Sequence, residues 1–146
     1  MNTTNRTRTA AIAIAAAAAF TFAGTGAANA APAIPLNGGQ EAPAPNDFGG
    51  HGWFSYEIDG TQLCYTLEVS GLSSNANNAH IHLAPRNVPG PVVVPLEFES
   101  ATDFVVDTCT TAPANVLAAI EANPSAYYVN VHTVNNGPGE IRGQLK

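Results

Sequence analysis

The sequence predicts an all-β protein, an antiparallel Greek-key-like sandwich or small barrel with one short helix. Several short segments alternate apolar and polar residues with the two-residue period of half-buried strands, and turn-forming Gly, Pro, Asn and Asp separate them. Helical spacing of apolar residues occurs in a single segment. Because no helix alternates with the strands, the pattern favours an antiparallel sheet over a parallel α/β fold.

The first thirty residues predict an export signal. Arg6 and Arg8 form a basic start, residues 10–23 form an apolar segment dominated by Ala, and Ala28-Asn29-Ala30 is a small-x-small cleavage sequence. The apolar segment is too short for a stable membrane span. We therefore expect a signal peptide over 1–30 and one secreted domain over 31–146, destined for the periplasm, the cell wall or the medium, with no membrane span.

The charge of residues 31–146 excludes some partners. Three basic residues, Arg86, Arg142 and Lys146, stand against eleven acidic residues, which gives a formal net charge of −8. Such an acidic domain disfavours nucleic acid and anionic membranes, and it suits cations and cationic partners.

Cys64 and Cys109 are the two cysteines of the chain. An exported protein meets an oxidising compartment, and no Cys-x-x-Cys motif indicates a redox site. We expect the two cysteines to form a structural disulfide.

The first predicted strands include a β-hairpin. Residues 34–36 read as a short edge strand. Alternation and aromatic content predict a strand over 53–58, Asp59-Gly60 predicts a tight turn, and residues 63–69 form the returning strand.

The remaining elements follow a polar loop. Residues 79–82 and 127–133 predict strands, and two shorter ones are expected at 104–106 and 140–145. Residues 92–98 predict a strand that Pro95 restricts to an edge or a bulge. Val116, Leu117 and Ile120 recur at helical spacing and predict a helix over 114–122, which Asn123-Pro124 ends.

Three of the four histidines lie on two of these strands. His80 and His82 point to the same face because side chains alternate along a strand. In 127–133, the same alternation places His132 on the face away from the apolar residues. If the two strands are neighbours, the three imidazoles meet.

Three converging neutral imidazoles with open coordination positions suit a copper or zinc ion. The fourth ligand is expected to be His51, whose neighbours are glycines, or a water molecule. The alternative is that the histidines are metal-free and bonded to neighbouring carbonyls, since a short His-x-His motif has a large false-positive risk.

Several segments of the chain carry a family likeness. They are LNGGQEAP at 36–43, LCYTLEVSGL at 63–72, AHIH at 79–82 with GPVV at 90–93, and YVNVHT at 128–133 with PGEIRGQL at 138–145. Together they closely resemble the CHRD domain, a module repeated in animal chordin and found singly in secreted bacterial proteins. The resemblance covers nearly all of 31–146 and implies a secreted β-rich binding module, with an extracellular protein as a conceivable partner.

A more distant likeness is to copper-zinc superoxide dismutases. Those enzymes carry a His-x-His strand, a later strand ending in Val-His and a Gly-rich turn before an arginine near the copper. The corresponding residues here are His80, His82, His132 and Arg142. The likeness implies copper, with zinc as the second choice, and a role for Arg142 in guiding a small anion. The histidine-rich zinc loop has no counterpart, so a complete dismutase is not implied.

Three functional hypotheses follow. The favoured one is a secreted CHRD-domain module that binds a copper-type ion through a histidine cluster without turnover, because no group is evident that donates protons to reduced oxygen. The second is a superoxide dismutase-like copper enzyme. The third is a metal-free structural or protein-interaction module.

Overall fold

The structure, a computed structural model, describes residues 32–47 and 49–146; the predicted signal peptide lies outside the described residues. Within these ranges the chain forms eight strands, one α-helix and two short 3-10 turns. The elements are β1 (Ile34–Asn37), β2 (His51–Asp59), β3 (Gln62–Ser70), β4 (Ala76–Leu83), β5 (Val92–Pro95), β6 (Phe104–Thr111), α1 (Ala114–Ala122), β7 (Tyr127–Thr133) and β8 (Ile141–Gln144).

The eight strands form one antiparallel sheet in the order β5-β4-β7-β8-β1-β2-β3-β6. The sheet curls into a half-barrel. The chain between β5 and β6 crosses from one edge of the sheet to the other. Two contacts hold this segment: Tyr65 Oη hydrogen-bonds the backbone of Glu97, and Leu72 N donates to Thr102 O. The predicted all-β antiparallel fold with one short helix is therefore confirmed.

The local predictions agree with the hairpin and the helix, whereas β6 extends five residues beyond the predicted 104–106 and β5 ends at Pro95, three residues short of the predicted 92–98. β2 and β3 form the expected hairpin, closed at Asp59 and Gln62, and Gly60 has a positive φ of 59° that suits a tight hairpin turn. β5, which contains Pro95, is an edge strand as predicted. α1 has the predicted bounds.

The position of β1 differs from the predicted edge strand: β1 is an interior strand between β2 and β8. Pro35 lacks an N–H to donate, so an interior position requires that no ladder hydrogen bond is needed from it. In the structure β1 pairs with β8 only at Asn37, so the proline interrupts no continuous ladder on that side.

The predicted disulfide is confirmed. Cys64 on β3 lies directly opposite Cys109 on β6, and the two are bonded. The bond therefore joins the edge strand β6 to its neighbour.

The hydrophobic core occupies the inner face of the curled sheet. Apolar residues at alternate strand positions supply it, and α1 adds Leu117 and Ile120. The most deeply buried strand residues include Phe54, Leu63, Leu67, Ile81, Val129 and Ile141.

The opposite face of β4, β7 and β8 carries polar side chains, the central ones buried and His80 half-buried. One row crosses the sheet from His80 through Asn130 and Arg142 to Asn37, each directly opposite the next. Asn130 and Arg142 have no exposed surface. This second, polar interior contains the candidate site. Within the described ranges, no helix has the length and apolar character needed to cross a membrane.

Candidate metal centre

The structure brings His80, His82 and His132 together. β4 and β7 are neighbours, with His80 opposite Asn130 and His132 opposite Asn78, so His80 and His132 lie on one diagonal of the strand pair. One ligand nitrogen from each of the three histidines lies within 4.8 Å of the others. The conditional prediction that these strands are adjacent and the rings meet is therefore fulfilled.

Backbone carbonyls orient two of the three rings. His82 Nδ1 lies 2.9 Å from Gly90 O, and His132 Nδ1 lies 2.8 Å from Gly137 O. Each Nδ1 therefore carries a proton, since a carbonyl only accepts. The same second-shell contact fixes the tautomer of metal-binding histidines, and it leaves the Nε2 of both rings unprotonated.

The unprotonated nitrogens face the same cluster. His132 Nε2 accepts a hydrogen bond from His80 Nδ1 at 3.2 Å, and His82 Nε2 is buried without a hydrogen-bond partner. A buried polar atom without a partner is rare in native proteins and marks a strained or functional position.

The spacing fits one ion. Nitrogens bound tetrahedrally at about 2.0 Å from an ion lie about 3.3 Å apart, and they are never more than about 4 Å apart. The 3.2 Å between His80 and His132 matches the tetrahedral spacing.

All three imidazoles are held in the neutral, metal-binding form. Burial lowers the pKa of His80 to about 4, and electrostatic repulsion from His132 and His82 contributes to the same shift. Burial also lowers the pKa of His82 and of His132, although the Gly90 and Gly137 carbonyls oppose the shift. Near neutral pH no proton has to leave these rings before a metal binds.

Two stacked side chains, Tyr128 and Arg142, support His82. The Tyr128 ring lies parallel to the His82 ring, with an angle of 6° and 4.7 Å between centroids. On its other side, the Arg142 guanidinium carbon lies 3.3 Å from the Tyr128 ring centre, a cation–π contact. His82 is thereby held from its face by Tyr128 and from its edge by Gly90.

Arg142 organises the loop that contains Gly90. Its Nη1 donates to Val88 O at 3.0 Å and its Nη2 to Pro85 O at 2.9 Å. The residue is completely buried. Its terminal nitrogens donate to these two carbonyls and to Gln144 Oε1, and its side chain has no exposed surface; the role of Arg142 in guiding an anion stays a prediction.

Glu140 organises the other supporting loop, which contains Gly137. Its carboxylate accepts hydrogen bonds from Ser73 N, Ser73 Oγ, Thr133 Oγ1 and Asn136 Nδ2. Burial raises the pKa of Glu140, but these hydrogen bonds outweigh it and hold the pKa below its ordinary value. Glu140 is therefore an ionised anchor of this loop.

His51 is not brought to the cluster. It is exposed at the start of β2, where its Nδ1 contacts Gly49 O at 3.2 Å. β8 and β1 lie between β2 and β7 in the sheet. The predicted fourth ligand is therefore absent from the described cluster, which consists of the other three histidines.

Several supporting groups were not predicted. Tyr128 and Asn130 share the alternation that points His132 outwards, so their common face was readable from the sequence. The Gly90 and Gly137 carbonyls left no such signal, because a backbone acceptor is present at every residue.

Comparison with curated proteins and with solved structures finds no match to this chain. A family model described as the CHRD domain matches residues 33–145, a range that contains the three histidines and both supporting loops. Since this match spans well over half of the sequence and agrees with the resemblance in its motifs, the chain belongs to the CHRD domain family.

Proposed function

We propose that this protein is a secreted CHRD-domain module that binds one copper-type ion through His80, His82 and His132. The observation that carries the proposal is the convergence of three ring nitrogens within 4.8 Å, with His82 Nε2 buried and unpartnered. Secretion is supported by the disulfide, since such bonds persist in oxidising compartments.

Copper is favoured over zinc by the chemistry of the donors. For a given set of nitrogen ligands, Cu(II) binds more tightly than Zn(II), and imidazole accepts both. The acidic surface of the domain also attracts cations.

Binding without turnover is favoured over superoxide chemistry. Arg142, the residue expected to attract the anion, is buried and bonded to carbonyl oxygens. No observation favours the dismutase-like alternative enough to propose it beside the binding role.

Metal titration of the mature chain tests the proposal. We expect one Cu(II) or Cu(I) per chain at an affinity that competes with a chromophoric chelator, and weaker Zn(II) binding. The His80→Ala/His82→Ala double variant should lose this binding, because it removes two of three ligands.

The matched control is His51→Ala, which removes the exposed histidine outside the cluster. It should bind copper as the parent protein does. Stoichiometric binding that survives the double variant, or no binding by the parent protein, would leave the metal-free structural role as the better account.

A further inference from the structure

A buried carboxyl group lies beside the candidate metal centre. We propose that Glu41 gives up a proton to solvent when the centre takes up a metal cation, so that the carboxylate compensates the charge of the bound ion. This inference rests on the proposed function, since it assigns a proton-exchanging residue to the same site.

Glu41 is enclosed by its surroundings. It follows the short turn Gly38–Gln40, is 7% exposed, and its Oε1 is buried without a hydrogen-bond partner. Gly139 has a φ of 140°, and a side chain there would collide with Glu41 Oε1 and Asn130 Nδ2. Glycine at 139 thus leaves room for the carboxyl group to pack against Asn130.

Asn130 connects Glu41 to the metal centre. It lies on β7, two residues before His132 and directly opposite His80 on β4. Its Nδ2 donates to Pro138 O at 3.5 Å and, together with Glu41 Oε1, occupies the space that a side chain at Gly139 would need. Asn130 therefore lies between the Glu41 carboxyl group and the histidine strands. Its Oδ1 is also buried without a hydrogen-bond partner.

The surroundings of Glu41 favour neither the protonated nor the ionised form of its carboxyl group strongly. Arg142 on β8 is the charged group that acts on it, Asn130 on β7 is neutral, and Glu140 beside Gly139 is turned towards Ser73. Burial raises the pKa of Glu41 to about 7, against the opposing effects of Asn130, Arg142 and the Ala42 backbone N–H. Near neutral pH the carboxyl group is therefore partly protonated, and an added cation favours its ionised form.

The experiment counts protons. Cu(II) is titrated calorimetrically into the mature protein and into Glu41→Gln at pH 6.5, in two buffers of different ionisation enthalpy. If the ion lowers the Glu41 pKa by about one unit, the parent protein releases about half a proton more per ion than the variant. The affinity ratio of parent to variant then rises about fivefold between pH 6 and pH 8.

Two controls keep the result interpretable. Glu68→Gln, an exposed acid on β3, should release as many protons as the parent protein. A measurement without substitution is the Glu41 carboxyl ¹³C resonance, which should move towards its ionised position when diamagnetic Cu(I) is added at pH 6.5. Equal proton counts in parent and Glu41→Gln, or an unmoved resonance, overturn this inference while leaving the copper site standing. A protein that binds no copper overturns both.

Discussion

Replacing Arg142 by Met tests whether the buried guanidinium supports the metal centre. The change keeps an unbranched side chain but removes the donors to Val88 O and Pro85 O and the charge over Tyr128. The loop that contains Gly90 would then lose two of its anchors, and the His82 ring would lose the support behind Tyr128.

The magnitude follows from these contacts. Two charge-assisted hydrogen bonds contribute about 1.5–3 kcal/mol each, and the cation–π contact adds about 1 kcal/mol. Removing a buried charge recovers part of its desolvation cost, so the expected net loss of unfolding free energy is about 2–4 kcal/mol. Loosening a second-shell support should weaken copper binding by about 10–100-fold.

Urea denaturation and chelator competition measure the two effects. The matched control is Arg86→Met, which replaces an exposed arginine in the same loop. It should change neither the unfolding free energy nor the copper affinity beyond measurement error. If Arg142→Met is as stable and binds copper as tightly as the parent protein, the supporting role of the stack is refuted.

Other consequences concern the anchors of the sheet and loops. Glu140→Gln should cost about 2–3 kcal/mol of stability, because an amide cannot accept all the hydrogen bonds that the carboxylate receives from Ser73 and its neighbours. Since the folded-state pKa of Glu140 lies below 4.5, its stabilisation is present above that pH and is lost as the pH falls through the folded value; urea titrations of parent and variant should therefore converge in acid. Cys64→Ala/Cys109→Ala should lower the unfolding free energy by about 4 kcal/mol, since the bond spans 45 residues, and leave copper affinity unchanged. Gly139→Ala should destabilise the fold by about 1–3 kcal/mol in thermal melts, because its φ of 140° and the packed Glu41 exclude a side chain.

The sequence was most informative where a local pattern decides the structure. Alternation predicted 127–133 with the same bounds as β7, and apolar spacing did the same for α1. The common face of His80 and His82 followed from the strand period alone.

Non-local features were harder to predict. The pairing of β4 with β7 joins residues about fifty positions apart, and no turn between them sets its register. The burial of Arg142 could not be predicted from the sequence. A polar face on an antiparallel strand is normally solvated, whereas here loops cover it. The same covering makes Glu41 a buried acid, although its Pro-rich segment reads as an extended connector.

X-ray absorption of the protein loaded with one equivalent of copper tests the central claim most directly. The account predicts a first shell that includes three nitrogen ligands at about 2.0 Å, with the outer-shell scattering of imidazole rings. The same sample prepared from His132→Ala should lose one imidazole. A shell of oxygen atoms without imidazole scattering, or a spectrum that the substitution leaves unchanged, would contradict it.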